Sequence, residues 1–473
     1  MKRILLTASL LAAGLSLHAQ IDMGVPSATG KGGVSTALLQ NWEVIGINPA
    51  NLGWSTNYKF SIGLLNFGFT AQSRALDMPT LRKAFTNPSS QFTPQQKQEF
   101  ANLFSTADGL NMQLHVNWLA ASIAFPKFGG LAINVRDRAF AHVGLNKDGA
   151  DILFNGINSA AYQDSTILSK NISTVFDGTN ASLLHYRELN LAYGRRILKA
   201  GTEDAEGVPA MQLFVGVGAK YVWGLGNMDV NVQNGKLDGH ASFVNSYNIN
   251  YGNLQNFTPQ STDLLFDAVG KGIGFDAGAS LILNNKFRFG ASITDIGSIT
   301  WGNNVLITSD TLMPALDSSS TGLNSWQLGS QSGNLFGQNG LLNMMPGPDY
   351  TTALPARLRL GASMRVGKRI DIGADYVIPL NNELFNLGKP YLAIGGEVNV
   401  FGTAKLSLGV SGNSELGWSV PAGFTIGTFG IFEVYVATGD VLSFFTKTDN
   451  PHLSVAVGVL RFNLKNPLDN DNK

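Results

Sequence analysis

Few residues of this chain have the types and spacings that catalytic chemistry requires. Its six histidines, at positions 18, 115, 142, 185, 240 and 452, show none of the short spacings of metal-binding motifs. The absence of cysteine excludes disulfides, thiolate catalysis, cysteine-bound zinc and a lipid-modified N-terminal cysteine. No Gly-x-Ser-x-Gly elbow occurs. The sequence therefore predicts no enzyme, no metal site and no cofactor.

Two motifs superficially suggest chemistry. Residues 30–36 are rich in glycine around Lys31, but they lack the Gly-Lys-Ser/Thr ending of a phosphate-binding loop and follow no buried strand. Gly-Ala-Ser recurs at 278–280, 290–292 and 361–363 and could offer a nucleophile. We interpret these repeats as small residues on strand faces where the interior is crowded.

The most distinctive charged group lies in the C-terminal third. Its members are Arg357, Arg359, Arg365, Asp371 and Asp375. They alternate with apolar residues over 357–366 and 370–379, which is the period-2 pattern of a strand with two unlike faces. An aliphatic or aromatic face opposite a face of Gly, Ser, Arg and Asp favours a membrane barrel with a polar lumen over a soluble sandwich. The charged group then has two interpretations, a selectivity or ligand site and a structural charge ladder across the lumen, and we favour the ladder.

Fifteen segments have the strand pattern, whereas bacterial single-chain barrels have an even number of strands. The candidates are 58–69, 112–124, 130–142, 186–198, 211–224, 240–251, 272–283, 287–298, 356–366, 370–379, 390–400, 404–412, 420–428, 431–438 and 452–462. All long connections fall at one end and all short turns at the other only if 240–251 belongs to an external excursion over 225–271. The sequence thus predicts an all-β fold, a 14-stranded antiparallel transmembrane barrel with long extracellular loops and both termini periplasmic. Its turns place Arg365 opposite Asp371, Arg288 opposite Ile282, and Lys405 diagonal to Glu397.

The N-terminus resembles an export signal. Lys2 and Arg3 precede an apolar run from Ile4 to Leu17, and Ala19 is a small residue before the expected cleavage point. We predict a signal peptide over 1–19 rather than a membrane anchor. The remaining chain has 31 basic and 33 acidic residues, which does not suggest nucleic-acid binding.

The long loops contain structure of their own. Thr93, Pro94 and Gln96 form a capping box and predict a helix with Phe100, Leu103 and Phe104 on its apolar side. Region 302–354 predicts an irregular loop, whose Trp326 and Phe336 need a surface to cover.

A family resemblance rests on the Asn48-Pro49-Ala50 motif after the signal, the fourteen strands, and strand phrases such as 272–278. In these the chain resembles an uncharacterised branch of the FadL-type superfamily of outer-membrane barrels, with relatives PorV and PorQ that work with type IX secretion. The resemblance implies an N-terminal hatch over 20–57, a barrel over 58–462 and a polar periplasmic tail over 463–473. It also implies location in the outer membrane of a bacterial cell, among its lipids.

The resemblance leaves two functions open. One is binding or transport of hydrophobic or amphiphilic small molecules, for which Phe100, Phe104, Trp326 and Phe336 would supply apolar surface. The other is a non-transporting partner barrel of a secretion or surface-assembly system, whose long loops at 70–111, 143–185 and 299–355 would dock a protein. An open diffusion pore is a third, less favoured possibility.

Overall fold

The structure is a computed structural model that describes residues 23–54, 58–73, 76–105, 109–125, 127–203, 207–244, 247, 267–326, 344–428, 431–445 and 452–465. The predicted signal peptide therefore lies outside the described residues, as do the tail beyond 465 and Phe336. The strands are β1 (Tyr58–Ser73), β2 (Leu110–Phe125), β3 (Gly129–Gly144), β4 (Asn180–Glu203), β5 (Pro209–Gln233), β6 (Lys236–Phe243), β7 (Gly270–Leu283), β8 (Phe287–Trp301), β9 (Val305–Thr308), β10 (Met344–Pro346), β11 (Tyr350–Ala353), β12 (Arg357–Val366), β13 (Ile370–Pro379), β14 (Tyr391–Asn399), β15 (Ala404–Asn413), β16 (Gly417–Ser419), β17 (Ala422–Thr428), β18 (Phe432–Thr438) and β19 (His452–Lys465). The helices are α1 (Pro26–Thr29), α2 (Met78–Thr86), α3 (Pro94–Phe104), α4 (Lys147–Asn155), α5 (Ala160–Gln163) and α6 (Ile172–Val175).

Fourteen of the strands close into an antiparallel barrel, as predicted. Their order is β1–β5, β7, β8, β12–β15 and β17–β19, and β19 pairs with β1 to complete the ring. The other five strands belong to the long connections. Several barrel strands are longer than predicted, and β19 continues three residues beyond the predicted end at 462, to Lys465.

The two faces of the barrel differ as the alternation predicts. On β15, Leu406, Leu408 and Val410 are 49%, 60% and 48% exposed, whereas Ser411 on the opposite phase is 1% exposed. The same division recurs around the barrel, with exposed Leu, Ile, Val and Phe outside and buried polar residues inside. Such an outer surface is stable against lipid, where a closed sheet leaves no backbone edge unpaired. The chain is therefore a transmembrane β-barrel.

The connections fall into two sets at opposite ends of the barrel, which we name the turn end and the loop end. Short turns such as 284–286 and 367–369 form the turn end, and Asn284, Asn285 and Gly367 adopt the positive φ that tight turns need. The predicted register is confirmed, because Arg365 pairs with Asp371 and Arg288 with Ile282. The barrel begins and finishes at the turn end.

The external excursion is also confirmed. After 25 residues of β5 the chain turns at Asn234–Gly235 and returns as β6, which pairs with the outer part of β5 while β7 pairs with the inner part. The strand in this excursion covers 236–243 rather than 240–251, and most of 244–251 lies outside the described residues.

The loop end is covered by a cap with its own small core. Thr93 and Gln96 make the predicted capping box on α3, and Phe100 and Phe104 are buried against Phe154 and Trp326. The prediction for Leu103 was wrong, since it is 41% exposed. Elsewhere in the cap, burial raises the pKa of Tyr162 to about 12, so its hydroxyl stays protonated and donates to the Pro314 carbonyl at 2.8 Å. Among the described residues, no helix is long and apolar enough to cross a membrane.

Candidate functional site: a luminal segment, its seat and the cavity beneath

Residues 23–54, which we call the luminal segment, lie inside the barrel and are almost entirely buried. The segment contains α1 and two short 3-10 helices, Asn41–Val44 and Pro49–Gly53, and adds no strand to the sheet. It contacts each of the fourteen barrel strands. It therefore spans the lumen while remaining separate from the backbone ladder of the wall.

The Asn48-Pro49-Ala50 motif organises the middle of this segment. The Asn48 side chain accepts a hydrogen bond from the Ala50 backbone N–H at 3.2 Å, and its amide donates to the Thr36 carbonyl at 3.1 Å and the Ala279 carbonyl at 3.3 Å. Pro49 occupies the first helical position, where its fixed φ suits a helix start. The motif thus ties two parts of the segment to each other and to β7.

A row of glycines forms the seat of the motif. Gly130, Gly194, Gly216 and Gly278 are register neighbours on β3, β4, β5 and β7. A Cβ on any of them would collide with the segment at Leu52, Pro49 or Asn48. Glycine is needed here because the backbone of the segment lies directly against the backbone of the wall.

The row continues around the barrel. Gly290 and Gly361 face Thr36, Gly373 faces Val34, and Gly395 and Gly409 face the Lys31 backbone. We call these nine residues the glycine girdle. The chain has 54 glycines, and close packing against the luminal segment explains why these nine positions are glycine.

The three Gly-Ala-Ser repeats each combine a girdle glycine with a serine bound to the luminal segment. Ser280 accepts from the Trp54 indole N–H at 2.8 Å, while Ser292 and Ser363 donate to the Ile47 and Ala37 carbonyls at 2.5 and 2.6 Å. The sequence interpretation of crowded strand faces is confirmed. The role of the serines as hydrogen-bonding partners was not predicted, because it depends on the position of a distant segment.

Ion pairs hold the segment at its sides. Lys31 lies 2.8 Å from Glu397 on β14, and Glu43 lies 2.9 Å from Arg461 on β19. Asp375 accepts four hydrogen bonds from the backbone N–H groups and hydroxyls of Ser35 and Thr36, at 2.7 to 3.1 Å. Charge on the wall is thus matched by donors and charge on the segment.

The charged group predicted from the sequence is spread over the height of the lumen. Arg357 is buried near the loop end, where it donates to the Asn386 side chain at 3.0 Å and the Phe385 carbonyl at 3.3 Å. Arg359 is also buried. Asp375 binds the luminal segment, whereas Arg365 and Asp371 pair at 3.1 Å near the turn end. The structure therefore does not bring the five residues together at one point.

A charge layer that the sequence reasoning missed lies above the luminal segment. It consists of Arg136, Arg138, Lys220, Glu188, Asp276 and Asp295, all buried. Lys220 lies 2.5 Å from Asp295 and 2.9 Å from Asp276, while Arg136 lies 2.6 Å from Glu188. The only sequence signal for this layer was a charged residue at an inward-facing position on several strands. The six residues come from five strands, so the ion pairs could not be predicted from residues that are close in sequence.

One part of the lumen nearer the loop end is an apolar cluster. Its buried members are Phe140, Leu184, Tyr186, Val222, Leu225, Val244, Val269, Ile299, Trp301, Val305, Leu354 and Phe385. Phe140 and Phe385 stack with ring centroids 5.2 Å apart, and the Trp301 indole donates to Thr352 at 2.9 Å. We call this set the upper lumen.

A polar cavity of about 780 Å³ lies on the other side of the luminal segment and opens at the turn end. Its charged lining residues are Lys31, Glu43, Arg196, Arg288, Arg365, Asp371, Glu397, Lys405, Glu433 and Arg461. The segment therefore separates an apolar upper lumen and a charge layer from an accessible polar cavity. Within the described residues, no group of three or more His, Asp or Glu side chains is placed to hold a metal ion.

This arrangement defines a transmembrane barrel whose lumen is spanned by its own N-terminal segment. The chain belongs to a family of unknown function, DUF5723, whose family model matches residues 49–439. No curated protein matches the sequence.

Three solved structures are similar to this chain over most of its length. A TodX mutant described as a monoaromatic hydrocarbon channel is 11% identical with a TM-score of 0.48, covering 93% of this chain and 98% of that one. The Ralstonia pickettii toluene transporter TbuX is 14% identical with a TM-score of 0.43, covering 93% and 98%. A Pseudomonas aeruginosa FadL homologue is 10% identical with a TM-score of 0.41, covering 95% and 99%.

Proposed function

We propose that this protein is a gated transporter of hydrophobic or amphiphilic small molecules in a bacterial outer membrane. Its loop end would face the exterior and its turn end the periplasm. The observation that carries the proposal is the position of the luminal segment, which lies between the apolar upper lumen and the open polar cavity. The segment is attached by side-chain contacts and not by strand pairing, so it can act as a hatch without breaking the barrel.

The upper lumen supports the choice of substrate class. Its aromatic and aliphatic side chains would contact an apolar molecule, as in most small-molecule sites. Phe100, Phe104 and Trp326, which the sequence suggested for this purpose, pack into the core of the cap instead. A route through the barrel would therefore use the upper lumen, the charge layer and then the space freed by the hatch.

A reversible lock on the luminal segment tests the proposal. The natural chain has no cysteine, and the Ser363 hydroxyl donates to the Ala37 carbonyl at 2.6 Å, so Ala37→Cys with Ser363→Cys introduces two cysteines at neighbouring positions. Uptake of toluene and of decanoate would be measured in proteoliposomes, before and after oxidation. We expect oxidation to abolish uptake and a reductant to restore it.

A matched control distinguishes a lock from a general effect of a crosslink. Thr300 on β8 and Thr351 on β11 face each other at 3.1 Å and are both exposed, so Thr300→Cys with Thr351→Cys crosslinks two paired strands without involving the luminal segment. This pair should leave uptake unchanged. Equal uptake by the locked and unlocked luminal segment would refute a hatch-gated route.

The folded cap supports a second candidate, a partner barrel of a secretion or surface-assembly system. The cap has its own apolar core and hydrogen-bonded helix caps, and so presents a defined surface. Affinity purification from the native membrane, with and without substitutions on the exposed faces of α2 to α5, tests this candidate. A co-purifying protein that is lost on these substitutions would support it, and the absence of any reproducible partner would oppose it.

We propose no enzymatic activity. The serines of the Gly-Ala-Ser repeats, which are the strongest candidates for a nucleophile in the sequence, are each engaged with the luminal segment at 2.8 Å or less.

A further inference from the structure

The charges lining the turn-end cavity are unevenly distributed between its two sides. On the side of β14, β15, β18 and β19, three bases and three acids pair with each other. Glu397 lies 2.8 Å from Lys31 and 3.9 Å from Lys405, while Arg461 lies 2.9 Å from Glu43 and 3.7 Å from Glu433. This side is balanced by its own residues.

The opposite side carries three arginines and one carboxylate. Arg288 lies 3.6 Å and Arg365 3.1 Å from the same group, Asp371. Arg196 donates to the Gln212 side-chain oxygen at 2.7 Å and, among the described residues, forms no ion pair. We call Arg196, Arg288 and Arg365 the arginine wall. With Asp371 counted, this side has an excess of two positive charges among the described residues.

The register places this wall at one level of the barrel. Gln212 pairs with Ile282, Ile282 with Arg288, and Arg288 with Ser363, so the contributing strands are adjacent. The Arg288 guanidinium lies over the Trp54 ring at 5.4 Å. Trp54, Phe214 and Ile282 also line the cavity and form one apolar cluster. The wall thus combines arginine donors with a small apolar surface.

Burial matters at Arg288, whereas Arg196 and Arg365 are exposed at the cavity mouth. The Arg288 side chain is only 6% exposed, and a buried charge is costly unless it is paired and hydrogen-bonded. A guanidinium offers a planar set of donors that suits the oxygens of a carboxylate or phosphate. Asp371 cannot neutralise both Arg288 and Arg365.

We propose that the arginine wall is a binding site for an anionic oxygen group, carboxylate or phosphate, on a ligand that enters from the turn end. The group would lie between Arg196 and Arg288, with Gln212 adding a polar contact and Trp54 an apolar one. This inference concerns equilibrium binding at one end of the barrel and is independent of whether the luminal segment moves.

Calorimetric titration of the full-length barrel in a neutral detergent tests the site. The probes are inorganic phosphate and decanoate, each at constant ionic strength set with chloride. We expect saturable binding of at least one probe, weakened tenfold or more by Arg288→Gln and by Arg196→Gln. Preference for decanoate would identify an amphiphilic carboxylate, and preference for phosphate a phosphorylated ligand. Lys199→Gln, which removes an exposed turn-end charge outside the cavity, should bind as the natural protein does.

Tryptophan fluorescence gives an independent readout. Binding beside Arg288 should change the emission of Trp54, and this change should be lost in Trp54→Phe and in Arg196→Gln but kept in Lys199→Gln. Arg196 is exposed, so Arg196→Gln keeps the test decisive even if Arg288→Gln fails to fold. The proposal is overturned if neither probe binds saturably, or if Arg196→Gln binds as tightly as the natural protein.

Discussion

The seat of the luminal segment and the upper lumen fill the same barrel by opposite means. In the upper lumen, large side chains such as Trp301 and Phe385 fill the space between the strands. At the seat, the wall residues that face the luminal segment are glycines. Backbone atoms, serine hydroxyls and ion pairs make the contact between wall and segment. Substitutions that remove side-chain atoms should therefore destabilise the upper lumen most, and substitutions that add side-chain atoms should destabilise the seat most. This contrast separates a region packed by the side chains of the wall itself from one that holds a separate piece of chain in one position.

The largest effect is expected from Trp301→Ala. Trp301 is fully buried, so its loss should cost about 4 kcal/mol in the free energy of unfolding. Denaturant unfolding measures this cost. Trp118→Ala, at a site 43% exposed on the outer face, should have a much smaller effect. The luminal segment should stay seated in both, so the 37–363 crosslink should still form, and its loss in Trp301→Ala would break the proposed separation of the two regions.

A slightly smaller cost is expected at the seat, with a different consequence. Gly216→Leu places a side chain where the Pro49 backbone now lies, and overpacking should cost about 3 kcal/mol. We expect the luminal segment to leave, which exposes Lys31 to trypsin and raises planar-bilayer conductance. Ala219→Leu adds bulk on the outer face of the same strand and should do neither. Continued protection of Lys31 in Gly216→Leu would show that the girdle is not the seat.

The ion pair between Lys31 and Glu397 should contribute less. Breaking a fully buried pair costs about 3–5 kcal/mol. Lys31→Glu should cost roughly 2 kcal/mol, because the Glu397 side chain is 23% exposed. The swapped double variant, Lys31→Glu with Glu397→Lys, should recover part of this loss in thermal unfolding and in protection of the segment from chymotrypsin, which cleaves after aromatic residues such as Trp42. If the double variant is no more stable than the less stable of the two single variants, the Lys31–Glu397 pair does not help to hold the luminal segment in place.

The smallest effect is expected in the cap. Thr93→Ala removes the N-cap of α3 and should destabilise that helix by about 1 kcal/mol. Hydrogen exchange over Pro94–Phe104 should accelerate, while the accessibility of the luminal segment does not change. Thr93→Ser keeps the hydroxyl and should behave as the natural protein. Faster exchange in the luminal segment as well would show that cap and seat are coupled.

The barrel could be predicted from the sequence because its strands carry their own evidence. Each alternates over seven or more residues, and the lengths of the connections decide which end they belong to. The 240–251 segment was correctly assigned to the external excursion, because counting it as a barrel strand would have placed long connections at both ends of the barrel. The strand ends were less predictable, since β4 and β5 extend beyond the apolar belt and pair with each other there.

The site was only partly predictable, because it joins residues that are distant in sequence. The Asn48-Pro49-Ala50 motif and the Gly-Ala-Ser repeats were recognised, but their mutual contact depends on how far each strand is displaced along its neighbour. The charged residues from 357 to 375 were grouped because they are close in sequence. Strand direction carries them instead to different heights, so Arg357 meets the loop 380–390 while Arg365 meets the turn-end cavity.

The glycine girdle has a consequence for the order of assembly. Its glycines come from strands spread between Gly130 and Gly409, so the seat does not exist until those strands have paired. The side contacts are as distant, since Lys31 and Glu397 are 366 positions apart and Glu43 and Arg461 are 418 apart. Contacts of such sequence separation form late, because the chain entropy they cost is recovered only at the end. The luminal segment is the first described part of the chain to be synthesised. It is therefore the last to reach its final position.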